Sequence, residues 1–351
     1  VDRVVEQLRA LGPALAFLLA AVPLADLLDR LGFFESLANW IQDRSGPTLH
    51  LGWLWVLAAA TTAVLNLDTT IVLLTPLYVR IGRHGRCDPV RIAVIPLVLA
   101  SLASSFLVVS NLTNLIVADR FGATSAEMLG RLGLPSLAAI GIGWWCYSRG
   151  GTRIDRPASV APVDHAALRF GGSVVIALLV AFVIGPTVGI PPWVSVVVAD
   201  VVLMVRLRFV PWRSVPVVTA TSVAVLGAAV ALVVPVPAAR PLTGTDSLGA
   251  VAASAFVGGI GANVVNNLPA LFVGMNATPT MTWGMWGWLW GINAAAAFLP
   301  WGALANLLWW RVIRDEGEPV TLRSYVARVG PIVAPAFGAG FVVLVLQRVF
   351  T

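Results

Sequence analysis

Asn66, Asp68, Thr69 and Thr70 fall inside a run of apolar residues, and so do Asn263, Asn266 and Asn267. Amides and carboxylates are unfavourable in hydrocarbon, about 2.5–3.5 kcal/mol for an Asp at the centre of a membrane helix, and side chains kept there usually line a substrate or ion path. Ser110, Asn111, Thr113 and Asn114 form a third polar cluster, and Asn293 with Asn306 a fourth. Groups of these types can ligate a small cation or hydrogen-bond an oxygen-rich solute. Asp68 is the one acid that the pattern places deep, since Asp200 lies in a span with far weaker context. Hydrocarbon disfavours its charge, so Asp68 can exchange a proton, and it is the candidate proton or cation coupling group. A permanent helix-capping carboxylate is the alternative reading.

The elements that position these groups belong to a membrane protein. Of 351 residues, 58% are hydrophobic and 11% charged, with a mean hydropathy of +0.87, whereas a soluble domain carries about 25% charged residues. Eight apolar segments of spanning length are expected at residues 11–28, 92–118, 131–149, 168–187, 191–208, 213–234, 282–310 and 326–348. The first reads as a span and not a signal peptide, because no small-residue cleavage pattern follows it. The net charge of +6 comes from arginine without any lysine; in a membrane protein its placement matters more than its sum, and it does not argue for nucleic acid. Cys87 and Cys146 suggest neither a disulfide framework nor a thiolate metal cluster.

Two further segments, 51–79 and 248–275, are too long to cross once and too short to cross twice. Each fits a re-entrant hairpin with two legs of about 13 residues and its tip at the polar cluster. Backbone exposed at that depth is tolerated only against protein or a water-filled cavity, so both tips should face a site. Arginine placement supports this. With both segments re-entrant, seventeen of the 23 arginines fall on one side, which the positive-inside rule makes cytoplasmic, with both termini outside. Tryptophans 53, 55, 144, 145, 212, 309 and 310 then mark the inner interface and 193, 283 and 286 the outer one, as lipid anchors.

A broken span follows each hairpin. Phe106 to Leu115 lines up with Phe298 to Leu307 at a constant offset, matching Phe, Leu, Asn and Leu. The intervening spans make the halves oppositely oriented, the inverted-repeat plan of secondary transporters. The expected fold is an all-α polytopic membrane protein of about eight spans plus two hairpins. Residues 1–149 form a shortened first repeat with hairpin 51–79 and broken helix 92–118, and 150–166 a cytoplasmic linker. Residues 167–351 form the second repeat, with hairpin 248–275 and broken helix 282–310. The first half is either natively short or continued by spans outside this sequence.

These residues resemble the ion transporter superfamily, most closely its arsenite permease branch. Asn66, Asp68 and Leu73-Leu74-Thr75-Pro76 are similar to one family tip, with Leu67 inserted, and Val265-Asn266-Asn267-Leu268-Pro269-Ala270 to the other. Ser110-Asn111-Leu112-Thr113-Asn114-Leu115-Ile116 is similar to the family's first break, with Leu112 in place of a proline. Asn293-Ala294, Pro300-Trp301-Gly302 and Leu307 to Arg311 resemble the last broken helix, where Leu299 and Ala303 replace hydroxyl positions. The resemblance implies alternating access of elevator type and proton-driven export of arsenite or antimonite across the plasma membrane, the inner membrane of a bacterium. It implies no cofactor beyond the coupling ion, H⁺ or Na⁺. It leaves open a homodimer and a cytoplasmic ATPase partner.

A sodium/proton antiporter or a cation-coupled carrier of organic or divalent anions from the same superfamily is the alternative, and a non-transporting assembly protein the alternative of another class. No Arg or His falls at the tips or breaks, which tilts the substrate toward a neutral or weakly charged one. An intramembrane protease would need paired aspartates or a Ser/His pair in the bilayer, whereas His50, His84 and His165 read as loop residues.

Overall fold

A computed structural model of the chain describes residues 2–44, 48–49, 51–151, 154–155, 162–233 and 239–351. The first helix, α1 (Asp2–Arg30), buries Phe17, Leu18, Ala21, Leu24, Ala25 and Leu28, an apolar face at helical spacing. Gly32, at φ 79°, turns the chain into α2 (Phe33–Arg44). Thr48–Leu49 pairs antiparallel with Ile154–Asp155, joining the approach to the first hairpin to the mid-chain linker.

The first hairpin is α3 (Leu51–Leu65) and α4 (Leu67–His84), meeting at Asn66. Asp88 accepts hydrogen bonds from the amides of Val90 and Arg91 and so starts α5 (Pro89–Leu102), which stops inside the apolar stretch before α6 (Leu112–Phe121). Thr124 and Glu127 form a capping box at α7 (Ser125–Met128), continued through a π-helical turn into α8 (Leu134–Ser148). Next come α9 (His165–Ile184), α10 (Pro192–Leu207), α11 (Val217–Val233) and the short α12 (Arg240–Thr243). The second hairpin is α13 (Leu248–Val265) and α14 (Asn267–Asn276), meeting at Asn266. The chain ends with α15 (Trp283–Ala294), a second break, α16 (Leu304–Asp315) and α17 (Leu322–Val349).

Among the described residues, four helices are long and apolar enough to cross a membrane, at 11–30, 165–182, 248–265 and 322–349. The molecule is an all-α polytopic membrane protein. The hairpin legs differ from the expected equal halves, at 15 and 18 residues in the first and 18 and 10 in the second. Their lengths follow where each leg packs and caps, not half the thickness of a bilayer. Thus α4 passes Val79 and runs to His84, where the Gly85 amide bonds back to Ile81. His84 and His165 are helix-end residues and not loop residues, and His50 lies outside the described residues.

Three tryptophans expected at the lipid interface are instead buried: Trp55, Trp286 and Trp309. The indole of Trp55 donates to the Ile140 carbonyl (3.2 Å) and that of Trp309 to the Ala93 carbonyl (2.7 Å), so neither needs headgroup water. Trp53, Trp145 and Trp212 remain exposed.

The helices that hold the second hairpin approach at backbone distance. In α15, a Cβ on Gly287 would meet the Val251 carbonyl of α13, and one on Gly291 would overlap that of Ala255. Small residues permit such contact between membrane helices, where packing replaces the hydrophobic driving force. Gly291→Val should therefore destabilise the protein by about 1–3 kcal/mol through overpacking, read as a lower thermal midpoint in detergent. Gly141→Val, at a site with open space around it, should leave the midpoint in place.

Candidate transport site

Each hairpin turns on one asparagine with a backbone that side-chain-bearing residues seldom adopt. Asn66 has φ 97° and ψ 158°, and Asn266 has φ 83° and ψ 153°. This region belongs almost wholly to glycine and costs roughly 1–3 kcal/mol elsewhere. Each side chain offsets the cost by capping the helix that follows: Asn66 Oδ1 accepts from the Asp68 amide (2.7 Å) and Asn266 Oδ1 from the Leu268 amide (3.2 Å).

The two breaks match residue by residue at an offset of 192 positions. Leu107 and Leu299 are extended at φ −126° and −125°, as are Asn111 and Ala303 at −149° and −145°. Asn114 Nδ2 donates to the carbonyls of Ser104 (2.7 Å) and Leu107 (2.9 Å), and Asn306 Nδ2 to those of Ala296 (2.8 Å) and Leu299 (3.1 Å). A single amide thus satisfies two carbonyls freed by each interruption.

The two halves differ in how a tip is tied to its break. Asn263 donates through Nδ2 to Ala295 O (2.8 Å) and Gly259 O, and its Oδ1 accepts from the Leu299 amide (2.9 Å). Its own carbonyl accepts from the Trp301 indole (2.7 Å), Asn266 Nδ2 donates to Trp301 O (2.9 Å), and the Asn267 amide donates to Gly302 O (2.9 Å). The first tip is tied by Ser110, whose Oγ donates to Ala63 O (2.7 Å) while accepting from the Leu107 amide. Thr70 is used within the hairpin, donating to Asn66 O and accepting from Thr62 Oγ1.

Asn293 joins the two halves. Its Oδ1 accepts from Asn111 Nδ2 (3.1 Å) and Thr113 Oγ1 (2.7 Å), and its Nδ2 donates to Asn114 Oδ1 (2.8 Å) and Ser105 Oγ (3.2 Å). One side chain of α15 therefore closes a polar network with the first break.

Two adjoining cavities meet at Asp68. The smaller, about 20 Å³, is lined by Leu67 and Asp68 of the first tip, Asn267 and Leu268 of the second, Asn111 and Leu112 of the first break, and Ala303 and Leu304 of the second. It is large enough for about one water molecule. The N-termini of α4, α6, α14 and α16 all point to it, and each helix N-terminus carries partial positive charge and free N–H groups. The larger, about 430 Å³, extends along α4 past Asp68, Thr69, Leu73 and Pro76 to Arg80, with Asp26 and Asp29 of α1 and Ser214 opposite. From Asp68 to Arg80 it runs about 18 Å along the helix, at a rise of about 1.5 Å per residue. Asp26 is held by Arg30 (2.8 Å) and Ser214 (2.6 Å). Asp68 Oδ1 and Thr69 Oγ1 are buried without a hydrogen-bond partner among the described residues, so neither atom is spent on the fold.

A half-helix geometry with amides and one acid at the convergence point is what a carrier requires, and comparison with known proteins agrees with it. Residues 7–296 match the signature of the citrate transporter family, CitMHS. The chain belongs to that family. It is a membrane transporter, and among its relatives are the arsenical pump membrane proteins of Yersinia enterocolitica and Escherichia coli strain K12. The first is 26% identical over 91% of this chain and 82% of its own length, the second 25% identical over 96% and 87%.

Of the residues singled out in the sequence, the transporter brings Asp68, Thr69, Asn111 and Asn267 to the cavity walls. Asn66, Asn263 and Asn266 hold the tips; Thr70, Ser110, Thr113, Asn114, Asn293 and Asn306 hold the hairpin, the breaks and their junction. Sequence reasoning missed Asp26, Asp29, Arg80, Ser214 and Thr219 on the walls, and Ser104 and Ser105 in the first break. The signal available was Asp26 and Asp29 three apart at the end of the first apolar span, and a serine pair inside the second.

The positive φ gives a test of the tips. Asn66→Gly relieves the strain and leaves the Asp68 amide without its acceptor, two effects of about 1–3 kcal/mol each that offset, so stability should change little. Asn66→Ala loses the cap and keeps the strain, and should cost about 1–3 kcal/mol. Thermal unfolding in detergent compares the two.

Proposed function

We propose that the transporter exports a small neutral hydroxide, arsenite or antimonite, in exchange for protons, and that Asp68 carries the proton. The observation that carries this reading is the charge of the path. Among the described residues, Asp26, Asp29 and Asp68 line the larger cavity against a single guanidinium, Arg80. Such a wall repels a multiply charged anion and tolerates a neutral solute or a cation. The names of the relatives point the same way, since both are arsenical pumps.

In this reading the hydroxide enters along α4 and is held at the convergence of the four half-helices by Thr69, Asn111, Asn267 and the free amides. Asp68 loses its proton toward one side and regains it from the other, and the cycle is driven by the proton gradient. The seventeen-arginine face is cytoplasmic, so the larger cavity, which ends at Arg80, opens inward. Residues 1–149 and 167–351 act as inverted repeats, and the site between their tips is exposed to each side in turn.

A second reading is a carrier of citrate or another organic anion, coupled to protons or sodium. Two observations favour it: the family signature is that of citrate transporters, and four helix N-termini favour negative charge. Everted membrane vesicles separate the readings. Uptake of arsenite driven by an imposed pH gradient is expected, with resistance conferred on an arsenite-sensitive bacterial strain; citrate uptake without arsenite uptake would establish the second reading. Asp68→Asn should abolish the dependence of flux on the pH gradient. Unchanged pH dependence in that variant would remove Asp68 from coupling.

A further inference from the structure

A third cavity, which shares no lining residue with the other two, lies between α5, α8 and α17. It measures about 250 Å³ and is lined by Arg91, Val94, Cys146, Tyr147, Gly150, Ala327, Arg328, Pro331 and Ile332. Two guanidinium groups face a space that none of the transport groups reaches. Arg91 donates through Nη2 to the Tyr147 carbonyl (3.3 Å) and lies over the Tyr147 ring, 5.4 Å from its centre. Its Nε is buried and has no hydrogen-bond partner among the described residues. Arg328 donates through Nη1 to Asp88 Oδ2 (2.6 Å) and through Nε to Ser324 Oγ (3.2 Å).

Asp88 supplies one negative charge against the two guanidiniums, so the pair of arginines is left with net positive charge. Beside the cavity, Arg149 stacks on the exposed Trp145 at 3.5 Å, and Trp144 and Tyr147 pack together, an aromatic belt of the kind found at headgroup depth. Val94, Pro331 and Ile332 complete the wall with apolar side chains about one helical turn along from Arg91 and Arg328.

From this arrangement we infer that the cavity is a binding site for the phosphate of an anionic phospholipid in the leaflet on the arginine-rich face. The phosphate takes Arg91 Nε and the free donors of Arg328, and one acyl chain follows the apolar wall. Basic pockets between membrane helices hold anionic headgroups in this way. A lipid there would clamp α5, which carries the first break, to α8 and α17.

The test uses the full chain in nanodiscs of phosphatidylcholine with and without phosphatidylglycerol or cardiolipin. Retention of anionic lipid, read by native mass spectrometry, should fall about fivefold in Arg91→Gln or Arg328→Gln and about thirtyfold in the double variant. Arg314→Gln, an exposed residue of α16, should retain lipid like the parent. Cys146 gives a readout that leaves both arginines in place. In a Cys87→Ser background, its alkylation should slow several-fold when anionic lipid is added. Equal retention by the double variant, or a Cys146 labelling rate indifferent to anionic lipid, overturns the assignment. Protection by inorganic phosphate alone, equal to that by the lipid, overturns it in favour of a soluble oxyanion.

Discussion

A helix that stops inside hydrocarbon must give its free N–H and C=O groups to something other than water. Among the described residues, helices stop within apolar stretches at two hairpin tips and two breaks, and the packing around them follows from how those ends are satisfied. Asn114 and Asn306 each close two carbonyls; Asn66 and Asn266 each cap a helix from a backbone conformation that glycine would occupy more easily. Glycine in their place would remove the strain but leave an amide at membrane depth without an acceptor. Asparagine is the residue that tolerates the backbone and supplies the acceptor together.

The same constraint is met differently in the two halves, and the difference divides their labour. Leu107 and Leu299 have matching backbones, yet the amide of the first is satisfied by Ser110 and that of the second by Asn263. Asn263, Asn266 and Asn267 bond the second tip to its break along several atoms, which suits a tip whose Val264 and Val265 are exposed. Val64 and Leu65, at the corresponding place in the first tip, are buried. The first tip keeps Asp68 Oδ1 and Thr69 Oγ1 unspent. Polar capacity not consumed by structure is what remains for a solute; the second break leaves Asn306 Oδ1 unspent as well.

The charged side chains gather in separate places. Asp26, Asp29 and Asp68 line the larger cavity with Arg80, while Arg91, Arg328 and Arg149 gather around the cavity between α5, α8 and α17. Arg83 adds a tie between elements, pairing with Glu318 (3.0 Å) and Glu316 (3.4 Å) in the turn after α16. The ends of α4 and α16 are thereby joined by partly exposed ion pairs, each of modest strength.

Much of the fold was legible because hydropathy and length are properties of contiguous residues. The apolar segments, the interruption near Asn111 and Ala303, and the two turning points at Asn66 and Asn266 could be read along the chain. The site was legible only as a pool of polar residues. Asn293 looks like any other amide in an apolar span, and it takes Asn111, Thr113, Asn114 and Ser105, all about 180 positions earlier, to show that its hydrogen-bonding capacity is consumed. Asp26, Asp29 and Arg80 look like ordinary helix ends until α1 is laid against α4. The sequence by itself determined that this is a membrane protein with polar groups held at depth, because burial of backbone and side chain in hydrocarbon restricts composition locally. Which of those groups are spent in hydrogen bonds and which are left without a partner was decided by the tertiary structure alone, because a hydrogen bond spent across two halves of a chain leaves no mark on the residues around either partner.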